Sequence, residues 1–328
     1  MAADPCDEFA PIPRDSESRS EHVPVLLDEV LDLLAPVSGG RYIDATFGGG
    51  GHTRAILERS APDGRVLALD ADPEAIERAR DLAALQHGRL SVAHGNFRAI
   101  RELATAKGFE RVDGVLMDLG LSSFQLNHAD RGFSFQRPGR LDMRFDTTSG
   151  ISAADIVNEW PEQDLAAVIF EYGEEPRSRA IARAVVRQRA LEPITSTDRL
   201  ASIVESALGG RRGKAIHPAT RTFQALRIAV NSELDSLRSG LNGAIELLAA
   251  GGRIAVISFH SLEDRIVKTL FRLESTDCIC PPQTPVCVCG HKARLRLVTR
   301  KAVKPSADEE RSNPRSRSAR LRVAERLP

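Results

Sequence analysis

From residue 41 to residue 118 the chain alternates between two spacings of apolar side chains. Short, nearly continuous apolar runs (Tyr42-Ile43, Val66-Leu67-Ala68-Leu69, Leu90-Ser91-Val92-Ala93, Val115-Leu116-Met117) are separated by segments with helical periodicity, among them Ala55, Ile56 and Leu57 and the stretch from Asp72 to about Leu85. Runs that are apolar on both faces suit strands covered from both sides. Their alternation with helices predicts a doubly wound α/β fold with a mostly parallel sheet. Asp72 and Pro73 start one of the helices, as N-cap and first helical residue. Ahead of the first strand, residues 22–34 place Leu27, Val30, Leu31 and Leu34 on one face and predict a helix over the sheet edge.

Past residue 128 the spacing turns helical: residues 153–158, 163–172, 177–189 and 197–208 each suit a helix, with Pro161, Pro176 and Pro193 as punctuation. A helical region over 223–248 and a fifth strand over 253–258 then resume the α/β pattern. Two alternating segments, 295–300 and 319–323, predict an antiparallel edge pair. The expected organisation is therefore a discontinuous α/β domain (22–128 and 215–328), an inserted helical domain (129–214) and, over 1–21, an apolar-poor leader expected to be disordered.

The first strand ends in Asp44 and opens into Ala45-Thr46-Phe47-Gly48-Gly49-Gly50-Gly51-His52-Thr53; the second ends in Asp70. Glycines let a backbone approach a ligand closely, and an acid at the end of the next strand can accept ribose hydroxyls. The unit predicts a ribose-containing ligand. A dinucleotide fingerprint needs a third small residue where Thr53 or Arg54 stands, which weakens a nicotinamide-dependent oxidoreductase. The Asp44-x-Thr46-x-Gly48-x-Gly50 spacing instead resembles the loop of class I S-adenosylmethionine methyltransferases, with Thr46 in place of a glycine.

Lys plus Arg equal Asp plus Glu over the 328 residues, so charge informs only through its distribution. Residues 1–30 hold two basic and eight acidic side chains, whereas residues 177–227 hold eleven and three, and residues 291–328 twelve and four. Two basic blocks suit a polyanion; solvated helix faces are the bland alternative. No apolar run approaches a membrane span and the start has no signal-peptide pattern, so a cytoplasmic location is expected. Cys6 stands alone, and Cys278, Cys280, Cys287 and Cys289 crowd into twelve residues, unlike a disulfide framework.

Further segments carry a closer resemblance: His22 to Leu27, Gly48 to His52, Asp118 to Ser123, Arg131-Gly132-Phe133-Ser134-Phe135, Leu141 to Arg144, Ala219 to Ile228, Ile257 to Arg265 and Asn313 to Ser318. In this order they closely resemble the bacterial small-subunit rRNA cytosine-N4 methyltransferase (RsmH, formerly MraW) family. Phe124 and Asn127 depart from the family's usual Pro and Asp. The resemblance implies a class I, Rossmann-like methyltransferase fold with an inserted helical domain. It also implies methyl transfer from S-adenosylmethionine to the N4 amine of a cytidine in the decoding region of 16S rRNA, in the 30S subunit. Family cofactor contacts carry over to Gly50, Gly51, His52, Asp70, Phe97, Asp118 and Gln125.

A cytosine amine is a poor nucleophile, so alignment and hydrogen-bond acceptors are what an enzyme must add. Asp118, at the fourth strand's end, is the candidate to orient amine or cofactor, with a helix-capping or loop acid as the alternative. Phe97 suits an adenine face or an ordinary core position. Arg179, Arg183 and Arg187 recur every four residues and, with Arg211, Arg212 and Arg221, suit phosphates. Phe133 and Phe135 suit a stacked base or buried packing. His260 is expected near the acceptor pocket, and Ser261-x-x-Asp264 reads as a capping box. The four clustered cysteines suit either a structural zinc or reduced loop thiols. A nucleic-acid-binding regulator that kept the fold without turnover stays open.

Overall fold

The computed structural model describes residues 24–210, 217–281, 283, 284 and 286–328; the acidic leader, Arg211 and Arg212 lie outside the described residues. In chain order, helix α1 (Leu27–Leu34) precedes β1 (Arg41–Asp44), α2 (Gly51–Arg59), β2 (Arg65–Asp70), α3 (Pro73–Ala84), β3 (Leu90–His94), α4 (Ile100–Ala106), β4 (Val112–Asp118) and the short α5 (Ser123–Asn127). Four helices follow, α6 (Ala153–Glu159), α7 (Glu162–Glu171), α8 (Ser178–Arg189) and α9 (Thr197–Ala207), close to the segments their periodicity marks. The chain closes with α10 (Thr220–Asn231), α11 (Glu233–Leu247), β5 (Leu248–Ser258), α12 (Ser261–Glu274), β6 (Leu295–Leu297), α13 (Ala307–Ser312) and β7 (Arg320–Arg326).

The seven strands form one sheet in the order β3-β2-β1-β4-β5-β7-β6, parallel except for β7. A reversed strand slotted in beside β5 differs from the parallel 3-2-1-4-5-6 order of dinucleotide-binding sheets, and the nicotinamide reading loses its structural basis. This is the sheet of a class I, Rossmann-like methyltransferase fold.

Alternate residues of each strand feed opposite faces. Ile43, Leu67, Leu69, Val115, Met117 and Val256 pack under α4, α11 and α12, whereas Tyr42, Val66, Ala68, Leu116 and Ala255 pack under α1, α2 and α3. A third core, with Phe133, Leu141, Ile156, Ile169, Ile181 and Leu200, lies among α6 to α10; Phe223 and Leu226 of α10 join it.

Three details refine or correct the sequence reading. Helix α1 touches β4, β5 and β7, not a sheet edge: β1 is itself a central strand, and Val30 and Leu34 are buried against that central face. The 223–248 region is two helices broken at Ser232, whose φ is +48°. Of the final strand pair only β6 is an edge, since β7 also pairs along β5.

Candidate active site

A cavity of about 470 Å³ opens at the carboxyl ends of β1, β2 and β4, within the size range of small-molecule sites. Its floor starts at the glycine turn. Gly50 has a φ of +77°, and a Cβ there would lie 2.5 Å from the Phe47 ring; a Cβ on Gly51 would lie 2.3 Å from Pro24. Only glycine lets the loop turn into α2 beneath the cavity. Asp44 locks the turn from below, accepting hydrogen bonds from Thr53 Oγ1 (2.6 Å) and the Thr46 N–H (3.2 Å). Burial pushes its carboxyl above the ordinary range despite the Thr53 bond. Thr46, the departure from the glycine pattern, has its own function: its hydroxyl accepts the Asp118 N–H at 2.7 Å and ties the loop to the end of β4.

Asp70 accepts from the Gly48 N–H (2.8 Å) through one oxygen and from the Asp72 N–H (2.9 Å) through the other. Burial raises its carboxyl to about 6, against the lowering effect of those bonds. Asp118 Oδ2 stands 3.6 Å from His52 Nε2. Asp118 Oδ1 and both His52 ring nitrogens are buried with no hydrogen-bond partner among the described residues. Unsatisfied buried polar atoms in a cavity wall are groups poised for a ligand. Among the described residues the lining holds four acidic side chains (Asp70, Asp118, Glu233, Glu263) and, of Lys and Arg, Arg315 alone, which suits a cationic sulfonium.

Gln125 reaches the wall through two contacts, the first on the Ser-x-x-Gln spacing of a capping box. It is N3 of a capping box with Ser122, and its Nε2 donates to Asp72 Oδ2 at 2.9 Å. The same oxygen accepts from the buried Arg131 Nη1 at 3.0 Å, and Arg131 Nη2 donates to the carbonyls of Arg144 (3.2 Å) and Phe145 (3.0 Å). Asn231 holds that loop from the other side, accepting the Phe145 N–H (2.7 Å) and donating to the Met143 carbonyl (2.8 Å). Phe145 thereby lines the cavity. Phe97 does so too, with its ring edge against Gly240 of α11, so it serves core and cavity together.

Beside the cavity Arg227 makes a double hydrogen bond to Glu233 (2.8 and 2.9 Å), and Glu263 accepts the N–H groups of Phe259 (2.8 Å) and His260 (3.3 Å). The His260 ring lies 3.1 Å from Glu263 and outside the cavity lining; Glu263, not His260, faces the space. Burial raises the Glu233 carboxyl, whereas His260 and Arg227 hold Glu263 low against its own burial. Glu233, His260 and Glu263 converge closely enough to hold a metal, but the Arg227 guanidinium already balances this buried charge. The capping reading shifts by one residue: His260 is the N-cap and Glu263 occupies N3, while Ser261 Oγ donates to Glu174 Oε2 at 2.5 Å.

Phe133 is buried against Phe145 (5.6 Å) and Phe135 is half-buried against Phe223 (4.8 Å), the packing side of the two readings. Arg179, Arg183 and Arg187 form an exposed face of α8, with Arg183 3.8 Å from Glu162. Arg221 donates to the Glu174 carbonyl at 3.1 Å and lies 3.7 Å from Glu175. None of these four lines the cavity. Arg131, Phe145, Asn231, Glu233 and Arg315 were missed as site residues. Arg131 and Arg315 fall inside segments that carry the family resemblance, which was their available signal; Phe145 and Glu233 carry no local one. Among the described residues no helix is long and apolar enough to cross a membrane.

Comparison with known proteins agrees with this geometry. Residues 19–327 match the model of the MraW methylase family. A "Ribosomal RNA small subunit methyltransferase H" of Thermomicrobium roseum is 62% identical over 306 residues, 93% of this chain and 94% of the relative. One of the same name from Syntrophotalea carbinolica is 52% identical over 309 residues, 94% and 98% of the two chains. Among solved structures an rRNA methylase from Streptococcus thermophilus aligns over 92% of this chain and 94% of its own at 10% identity, with a TM-score of 0.39. The fold assignment therefore stands on the sheet order itself. With nearly the full length matched and the glycine turn, Asp118 and the 257–265 segment all at one cavity, this chain belongs to the MraW methylase family.

Proposed function

We infer that the protein transfers a methyl group from S-adenosylmethionine to the exocyclic N4 amine of a cytidine in the decoding region of 16S rRNA, acting on the 30S subunit. The observation that carries this reading is the acid-lined cavity in which Asp118 offers a buried, unpartnered oxygen. The name shared by the relatives supports rRNA as substrate.

The cofactor brings a methyl group already activated by its sulfonium. The residues fit it as follows. Gly51 and His52 would lie against it on the turn that Gly50, itself outside the lining, shapes; Asp70 has lone pairs left for the ribose hydroxyls, and Phe97 would flank the adenine. Gln125, fixed by Asp72, borders the methionine end together with Asp118. Asp118 accepts a donor in the wall, the reacting amine or the ammonium of the cofactor, and so fixes the line of nitrogen, methyl and sulfur on which displacement depends. The amine nitrogen would gain the methyl carbon as the carbon–sulfur bond breaks, the sulfur leaving as a neutral thioether, and would then release one proton to solvent; alignment within the cavity supplies the rate. The exposed arginine row of α8 and Arg221 offer salt-sensitive phosphate contacts outside the cavity.

The test is transfer of radiolabelled methyl to 30S subunits, naked 16S rRNA and duplex DNA, followed by nucleoside mass analysis. N4-methylcytidine from 30S subunits is expected. Label on a different atom, or on none of the three despite measured cofactor binding, overturns the assignment, the latter in favour of a binding regulator.

A further inference from the structure

Between α12 and β6 runs a strap whose described residues form no strand or helix. Its stem is closed by polar contacts: Arg294 donates to Glu274 from both backbone (2.8 Å) and side chain (2.6 Å), the Ala293 N–H donates to Asp277 Oδ1 (3.2 Å), and the His291 ring lies 3.0 Å from the Leu273 carbonyl. Above the stem burial does not hold it, because Ile279, Val286 and Val288 are 49%, 74% and 82% exposed. The sulfurs of Cys278, Cys280, Cys287 and Cys289 nevertheless converge, all within 4.8 Å of one another.

The spacing of the sulfurs identifies what they are arranged around. Cys278 and Cys287 are 3.5 Å apart, Cys287 and Cys289 3.6 Å, and Cys289 and Cys278 3.9 Å. A disulfide brings its sulfurs to about 2.05 Å, so these are four separate thiols. A tetrahedral zinc with Zn–S bonds of about 2.3 Å sets its sulfurs roughly 3.8 Å apart, the scale seen here. The backbone is arranged to match. Each Cys-x-Cys arm sends the N–H of its middle residue to the last sulfur of the other arm: Ile279 to Cys289 and Val288 to Cys280, both at 3.4 Å. This reciprocal pair of N–H groups faces sulfurs that would carry thiolate charge, and charge-assisted acceptors are the ones such donors stabilise.

We propose that Cys278, Cys280, Cys287 and Cys289 bind one zinc ion as a tetrathiolate, and that the ion staples the strap in place of a hydrophobic core. The site is structural. None of the four cysteines lines the cavity, and a closed set of four protein ligands leaves zinc no open position for substrate. The ion fixes the approach of the chain to β6, the edge strand that pairs with β7.

The decisive experiment is metal analysis of the full chain purified under reducing conditions without chelator, followed by exchange into cobalt. About one zinc per chain is expected, and cobalt should give the intense visible bands of a tetrahedral thiolate site. With zinc bound, the thiols of Cys278, Cys280, Cys287 and Cys289 should resist a thiol reagent; after chelation all four should react rapidly. The C280S/C289S variant should lose at least tenfold in zinc content. If that variant misfolds, the cobalt spectrum and thiol count of the wild-type chain decide alone. Absence of zinc together with failure to take up zinc or cobalt, iron in stoichiometric amount, or two disulfides among these cysteines in fresh protein overturns the proposal. These readouts do not depend on methyl transfer, so their failure is distinct from failure of the proposed reaction.

Discussion

The floor and the roof of the cavity are held by different kinds of contact. On the floor, functional groups stand at the ends of parallel strands and are tied to the loop that follows β1: Thr53 on Asp44, Gly48 on Asp70 and Asp118 on Thr46. The roof is tied across long stretches of chain: Arg131 to Asp72, Asn231 to Phe145, and Ser261 to Glu174. Parallel strands deliver their carboxyl ends to one side whatever the details of the rest. The roof has no such guarantee, and its geometry depends on a few polar ties that are satisfied only when distant segments meet.

The largest effect should come from cutting the deepest of those ties. Arg131 and Asp72 are both buried, and removing one partner leaves a charge without compensation. Arg131→Ala should lower unfolding free energy by about 3–5 kcal/mol in a denaturant titration. A loss within error would mean that the roof stands without this pair. Asp118→Asn attacks the floor instead, where the fold should tolerate it. Its turnover should fall about 10²–10³-fold with little change in melting temperature; full turnover would remove Asp118 from the mechanism.

Asp70 separates binding from stability by sign. Its folded carboxyl titrates near 6, above its ordinary 3.8, so the free protein holds this proton more tightly than the unfolded chain. This contribution to stability is present below the ordinary value and is lost as pH rises through about 6. Cofactor binding should run the other way. The ionised carboxylate is the better acceptor, so affinity should fall about tenfold per pH unit below about 6, and calorimetry of Asp70→Asn should show a flat profile. Parallel trends in stability and affinity would contradict the ribose assignment. The smallest effects belong to the exposed arginines of α8: each of Arg179→Ala, Arg183→Ala and Arg187→Ala should reduce the salt slope of RNA binding by about 0.7–0.9 and leave cofactor affinity unchanged.

What could be read from the sequence follows the same division. Strand runs ending in Asp44, Asp70 and Asp118, the glycine turn and the Asp72-Pro73 helix start all stand where local pattern puts them, because period and capping are local properties. Periodicity puts helix α1 over an edge because the strand order, which makes β1 central, is not contained in any window of sequence. Arg131 could not be recognised as a buried anchor, since a charge has no periodicity that announces its partner 59 residues away. Phe133 and Phe135 suited stacking on a base equally well until their ring neighbours were known. His260 drew notice as the chemically versatile residue, whereas the side chain facing the cavity is Glu263.

The reversed strand β7 also sets an order of events. It lies between β5 and β6, yet it follows both in the chain, so β6 has no sheet neighbour until β7 inserts. The segment leading into β7 carries Asn313, Pro314 and Arg315 to the cavity rim, and Glu309 accepts the N–H of Leu26 at 2.8 Å. During synthesis the five parallel strands can assemble while the binding cavity still lacks one side. The ligand site therefore lacks one side until β7, the last strand among the described residues, enters the sheet and brings the cavity rim to the segment before α1.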